Sequence, residues 1–321
     1  MNIALVGCGR IALYHLNALR SIGQKARLAA LVDSDRKRAE AYGEQYGCKN
    51  IFTEIQEAAE SLSIDASIIC LPHHLLSQAS MLFLEKGKHV LAEKPLGVDT
   101  GSLLKAVEEA DKRGLVFQAG YVRRFMPSYH ILKRTVEERK EKVLRHICVD
   151  FHNRNKIATP WWREKEKAGG FYVPIFGSHY LDQMLWLRRA TPCSVYAAYQ
   201  NLAPGTVEGE TDGALTLSFC DKTSASLIFS TTVNNISMHQ EIIFTEKHTF
   251  ETGSNLLKID GIPQELPACN PFLLQLQDFT DAVEQGRPPS VPAREALKIL
   301  QLINLAGESA KLGMTVTVSR L

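Results

Sequence analysis

The chain of 321 residues lacks most of the features that mark specialised classes of protein. It has no apolar run long enough to cross a bilayer. Its opening stretch is broken by Tyr14, His15, Asn17 and Arg20, so it reads neither as an export signal nor as an anchor. It lacks a charge excess: 37 Lys and Arg against 35 Asp and Glu leave +2, which gives no electrostatic reason to expect nucleic acid or a membrane surface as partner. It has no C-x-x-C pair. The seven cysteines (Cys8, Cys48, Cys70, Cys148, Cys193, Cys220 and Cys269) are scattered, and their odd number points to reduced thiols in the cytoplasm. Internal repeats and low-complexity stretches are absent. What remains, 45% hydrophobic and 22% charged residues, is the composition of a globular protein long enough for two domains.

What is present begins at residue 2. The apolar run 2–6 (NIALV) leads at once into Gly7-Cys8-Gly9-Arg10-Ile11-Ala12 and then a helical stretch to about residue 22. In that strand–turn–helix context, G-x-G-x-x-A is a dinucleotide-binding fingerprint. Gly7 permits the tight turn, Gly9 lets the backbone approach a pyrophosphate, and the helix start offers unpaired N–H groups to the anion. Asp33 closes the next apolar run, twenty-one positions after Ala12, the distance expected of a ribose-binding carboxylate. That carboxylate favours NAD over NADP. Arg36, Lys37 and Arg38 keep NADP open, although they read more simply as a solvated helix face.

Short apolar runs at 2–6, 27–32, 66–71, 89–92 and 115–119 alternate with helical stretches. Several runs are apolar throughout, as strands buried on both faces are, so residues 1–120 read as an α/β domain with a doubly wound parallel sheet, the Rossmann architecture. After residue 120 a helix at 127–140 precedes strand-like runs at 144–151, 194–199, 214–219, 224–232, 240–245 and 256–259. Two helices at 271–285 and 292–312 and a last strand at 315–318 follow. Residues 121–321 therefore read as an α+β domain with a mostly antiparallel sheet.

Glu93-Lys94-Pro95 directly follows the fourth apolar run, where an open α/β sheet borders its ligand crevice. A lysine there can exchange a proton with a substrate oxygen; by composition alone, a solvated Glu-Lys pair at a turn is the simpler reading. The ordered segments GCGRIA, Asp33, LPHHLL, GKHVLAEKPL, AGYVRRF, AGGFYVPIFGSHYLDQMLWL and the two late helices resemble the glucose–fructose oxidoreductase / inositol dehydrogenase / MocA (Gfo/Idh/MocA) family. The resemblance implies a Rossmann domain followed by a large open sheet, a nicotinamide coenzyme, and association into homodimers or homotetramers through that sheet. By position it makes Lys94 and His179 the catalytic pair. It also makes Cys8, Arg10, Ile11, Leu71, Pro72, His73, Glu93, Lys94, Arg124, Trp162 and Arg163 coenzyme-binding residues beside Gly7, Gly9 and Asp33. Tyr121, Tyr172, Ile175 and Asp182 join Lys94 and His179 near the substrate. For His179 a core or capping histidine is the competing reading.

One position departs from the family pattern. Four residues before His179, where the family usually carries Asp, stands Ile175, which can neither accept a proton nor a hydrogen bond. The expected function is hydride transfer between a nicotinamide coenzyme and a small sugar-like carbonyl or hydroxyl compound. Ile175 leaves two alternatives: an imine or double-bond reductase, and a catalytically inactive NAD-binding regulatory protein. No metal is expected, since His73, His74 and His179 have no ligand spacing.

Overall fold

A computed structural model describes residues 1–153, 159–188 and 190–319. They form two units, Met1–Val122 with Asn270–Leu297, and Arg123–Cys269 with Lys298–Leu321. The division is thus not a single cut near residue 120, because a late segment returns to the first unit.

In that first unit, β1 (Asn2–Val6), β2 (Arg27–Val32), β3 (Ile51–Phe52), β4 (Ala66–Ile69), β5 (His89–Ala92) and β6 (Phe117–Ala119) form one sheet in the order β3-β2-β1-β4-β5-β6. The pairings are parallel. The intervening helices are α1 (Ala12–Ser21), α2 (Arg36–Tyr46), α3 (Ile55–Glu60), α4 (His73–Glu85) and α5 (Thr100–Arg113). Their ends obey local rules. Asp35 and Asp99 cap α2 and α5 by accepting from Arg38 N and Ser102 N, and Gly47 and Gly114 close the same helices in the left-handed region.

The returning segment carries α9 (Pro271–Gln285), capped by Asn270 and closed by Gly286. Its Leu276, Phe279 and Ala282 are fully buried in one cluster with Ile3, Leu5, Leu16 and Ile68. An ion pair from Lys25 to Asp281, 2.5 Å long, reinforces the join. Periodicity had identified this helix; only packing shows which core it completes.

The second unit holds α6 (Pro127–Glu138), β7 (Val143–His152), α7 (Lys165–Ala168), α8 (Ser178–Trp186) and a run of strands. These are β8 (Pro192–Gln200), β9 (Asp212–Phe219), β10 (Ser224–Ser230), β11 (Ser237–Thr245), β12 (Thr249–Gly253), β13 (Leu256–Ile259) and β14 (Ile262–Pro263). After α10 (Ala293–Leu312), which starts in the first unit, β15 (Val316–Thr317) completes a nine-stranded sheet ordered β14-β13-β12-β11-β7-β10-β9-β8-β15. Only β7 and β10 pair in parallel.

One sheet face is buried and carries, unusually, charge. Leu227, Cys148 and Glu241 form one cross-strand row, and Phe229, Asp150 and His239 the next. Glu241, 0% exposed, accepts from Tyr129 Oη at 2.8 Å and pairs with His146 at 3.2 Å, Arg123 at 3.5 Å and His239 at 3.4 Å. Burial opposes its charge, but His146 and His239 hold the carboxyl well below the usual range. Burial likewise opposes charge on His239, yet its hydrogen bonds to Asp150 and Glu241 outweigh this and raise the imidazole to about 9.

One cysteine expectation fails. Cys193 and Cys220 form a disulfide, with Cα atoms 5.3 Å apart. The β8–β9 register slips between Pro192 and Ser194, so Cys193 bulges beside the residue that follows Phe219. Nothing in a separation of 27 residues announces that pairing. The other five cysteines are free, four of them buried.

His239 gives a pH dependence of known sign. Its folded pKa, about 9, lies above the ordinary 6.5, so its stabilisation is complete below 6.5 and is lost as pH rises through 9. His239→Gln is expected to lose about 2 kcal/mol near neutrality and progressively less in alkali; urea midpoints across that range check it, and a gap independent of pH contradicts it.

Candidate active site

Four strand ends of the first unit lie level. Val6 is in register with Val32 and with Ile69, and Ile69 with Ala92. The residues that leave those ends therefore gather along one edge: Gly7 to Ile11, Asp33, Leu71 to His73, and Glu93 with Lys94. In such sheets the edge beyond the strands' carboxyl ends, where the order reverses between β1 and β4, is where nucleotides bind.

The glycine turn has the shape the fingerprint requires. Gly7 has φ +91°, and a Cβ there would lie 2.5 Å from the Cys70 carbonyl oxygen. Gly9 is different: a Cβ would meet nothing within 4 Å. Packing inside the chain does not demand glycine there, and the bare backbone is open to a group approaching from outside. The start of α1 completes this cradle. Unlike α2, α5 and α9, it has no side-chain cap, and no acidic residue lies in its first turn. Its N–H groups suit a pyrophosphate.

Asp33, 8% exposed, is tied to the same turn. Its Oδ2 accepts Cys8 N–H at 2.7 Å and its Oδ1 accepts Asp35 N–H at 2.8 Å, with Arg38 at 3.4 Å. A carboxylate has about four acceptor sites, so capacity remains for ribose hydroxyls. Cys8 is no nucleophile: burial, with Asp33 adding to it, pushes its thiol up to about 12. These residues fit a nicotinamide dinucleotide.

Lys94 stands on a sharply constrained turn. The Lys94–Pro95 peptide is cis, and Leu96 follows with φ +62°. A left-handed leucine costs about 1 kcal/mol or more. It is retained because Leu96 is fully buried, its N–H reaches Glu93 O at 3.2 Å, and its carbonyl accepts Ser77 Oγ at 2.7 Å. Glu93 contacts His15, a residue sequence reasoning passed over. Its signal was faint: a lone histidine among Ala12, Leu16 and Leu19 on the apolar stripe of α1. Tyr121, fully buried, also belongs to this unit.

The second unit presents the other expected residues. His179 is the second residue of α8 and half-buried. A π-helical turn, Val173–Gly177, leads into it and holds Ile175, 3% exposed. Such turns recur at functional sites. Glu210 pins this lead-in by accepting from Phe171 N at 3.2 Å and Val173 N at 2.8 Å, and burial pushes its carboxyl up. Trp162 packs edge-on against Phe176, 5.4 Å between ring centres, while Arg163 is exposed.

Arg124 is 5% exposed and donates to Asp182, with Nη2 to Oδ1 at 2.6 Å and Nε to Oδ2 at 3.0 Å, so each is committed to a buried ion pair. Tyr172 stacks flat on Phe229 at 4.1 Å and donates its hydroxyl to Asp150. Neither partner could be read from local spacing.

Among the described residues one trio, Cys148, His239 and Glu241, brings possible metal ligand atoms within 4.8 Å of one another. The neighbouring Arg123 guanidinium opposes a cation, and both His239 and Glu241 are engaged already. A hollow of about 660 Å³ bounded by Val136, Leu187, Arg188 and Cys220 contains none of the candidate residues, so volume alone does not locate the chemistry.

A dinucleotide cradle on a 3-2-1-4-5-6 sheet, with a lysine at the end of β5, defines an NAD-binding oxidoreductase. The chain belongs to the Gfo/Idh/MocA family: residues 1–121 match the model described as oxidoreductase family, NAD-binding Rossmann fold, and residues 129–250 the GFO/IDH/MocA C-terminal domain. It is 26% identical to scyllo-inositol 2-dehydrogenase (NAD(+)) of Bacillus subtilis, over 98% of this chain and 95% of that one. It is 30% identical to inositol 2-dehydrogenase 4 of Saccharopolyspora erythraea, over 67% and 62%. In fold it resembles levoglucosan dehydrogenase in complex with NADH, with a TM-score of 0.91, 16% identity and full coverage of both chains.

Asp33→Asn keeps the shape but removes the charge that accepts the Cys8 and Asp35 N–H groups. NADH affinity is expected to fall by about tenfold, with NADPH affected less; a fluorescence titration with both coenzymes checks this, and equal loss for both contradicts it.

Proposed function

We propose that the protein is a dehydrogenase acting on a cyclic polyol or related sugar-like compound, with Lys94 exchanging the substrate proton and His179 assisting. The observation that carries this reading is the turn at the end of β5, where a left-handed leucine, Ser77 and Glu93 together restrain the residue bearing the ammonium. The bound coenzyme supplies or accepts the hydride. The chain's own part is to hold the dinucleotide through the glycine turn and Asp33, orient the substrate, and move a proton at Lys94 Nζ. Asp33 supports NAD as the preferred coenzyme, with Arg38 leaving room for NADP.

The names of the relatives, inositol dehydrogenases among them, support the substrate class. Ile175 modifies it. With Phe171 and Phe176 it makes the lead-in to α8 apolar, which favours a substrate with fewer hydroxyls on that side than inositol. The same observation supports a second reading, reduction of an imine or a carbon–carbon double bond. Four buried free thiols that behave as core residues support a cytoplasmic setting, and the Cys193–Cys220 disulfide weighs against it.

The outward face of the second sheet supports self-association. Ile147, Val149, Ile228 and Ile242 project from its central strands, with Ile228 41% and Tyr196 46% exposed. These apolar side chains on an open sheet face call for a cover, and a second copy of the chain is the cover we propose.

Lys94→Ala is expected to lower kcat by about 100-fold or more while NADH affinity stays within about twofold. Scyllo-inositol, levoglucosan, keto sugars and cyclic imines serve as probes, followed at the reduced-nicotinamide band; undiminished turnover of any accepted probe removes Lys94 from the reaction. Ile242→Lys is expected to convert a dimer or tetramer to monomer in light scattering, and an unchanged mass rejects the sheet as the interface.

A further inference from the structure

The imidazole of His15 joins the coenzyme-binding helix to the turn that bears Lys94. It lies one turn into α1 and is 1% exposed. Its Nε2 is 2.9 Å from Glu93 Oε1, and the Glu93 side chain is itself only 11% exposed. A carboxylate accepts, so the shared proton belongs to Nε2. The other nitrogen, Nδ1, is buried with no hydrogen-bond partner among the described residues, and the ring packs edge-on against Phe272 at 5.1 Å. Apolar packing and one hydrogen bond therefore fix this ring.

Glu93 relays that constraint. Its Oε2 accepts the N–H of Lys94 at 3.3 Å, and its own N–H donates to Ile69 O at 2.9 Å. Imidazole, carboxylate and the Lys94 peptide thus form one chain across residues 78 apart in sequence. For packing alone a leucine would serve at position 15, between Ala12, Leu16 and Phe272. A buried polar pair is costly, and its benefit is in orientation more than in stability.

We propose that His15 is a positioning residue for Lys94: by holding the Glu93 carboxylate on one side of the turn, it keeps that carboxylate from closing on the neighbouring ammonium. This rests on the reading of Lys94 as the proton-exchanging group. It also makes the reactivity of that group depend on the helix that receives the pyrophosphate.

The test uses the full-length protein and needs no substrate. Acylation of individual lysines by N-hydroxysuccinimidyl acetate is followed by peptide mass spectrometry over a range of pH, with the exposed Lys37 and Lys105 as internal standards. In His15→Leu, which keeps the packing, the freed carboxylate turns onto the ammonium. Lys94 labelling is expected to slow by about threefold or more and its pH profile to move upward, with the standards unchanged. His15→Gln, whose amide can still donate to Glu93, is expected to restore labelling to within about 1.5-fold. In a Glu93→Gln background, His15→Leu is expected to add nothing further. Equal Lys94 labelling in wild type and His15→Leu overturns the proposal, as does an undiminished effect of His15→Leu in the Glu93→Gln background. Circular dichroism of each variant separates misfolding from repositioning. Failure of NADH to protect Lys94 from acylation would instead overturn the placement of Lys94 beside the coenzyme, a separate outcome.

Discussion

A single backbone N–H, that of Cys8, sets the geometry on which the coenzyme site depends. It donates to Asp33 at 2.7 Å, while the neighbouring Gly7 N–H donates to Val32 O at the same distance. Together they lock the turn after β1 to the end of β2. The turn then presents a bare Gly9 and an uncapped helix start, and the Asp33 carboxylate is oriented by the same contact that shapes the turn. The glycine turn and the carboxylate are therefore tied to each other across residues 25 apart in the chain.

The charged layer beneath the second sheet's helices plays a comparable part. Arg123, His146, His239, Asp150 and Glu241 form a buried network that an apolar core would match in stability. Its members specify how the helices seat: Tyr180 of α8 bonds His239 and Tyr129 of α6 bonds Glu241, so each helix has one preferred register on the strands. The helix that carries His179 is thereby indexed by polar contacts, and Glu210 fixes its lead-in.

Most of the first unit was legible because its signals are local. An apolar run, a glycine turn and a carboxylate at a set interval report on neighbours in both sequence and space. The alternation of strands and helices gave the parallel sheet for the same reason. What could not be read were long-range partners. Arg124 and Asp182, His15 and Glu93, Cys193 and Cys220 each meet through tertiary structure that no periodicity encodes. The same holds for α9: its amphipathic pattern announces a helix but not the surface it covers. Short strands such as β3, two residues long, and β12, after a charged turn, lacked sufficient pattern of their own.

The discontinuity of the first unit bears on how the chain is made. A ribosome releases β1 to β6 long before α9, yet Leu276, Phe279 and Ala282 of that helix belong to the same buried cluster as β1 and α1. Until some 270 residues have been synthesised, the apolar flank of α1 has no native cover. The central strand β7 waits in the same way for β10 and β11. Neither unit can complete its native core until late in translation, and an N-terminal fragment cut after β6 would leave exposed the flank of α1 that Leu276 and Phe279 bury.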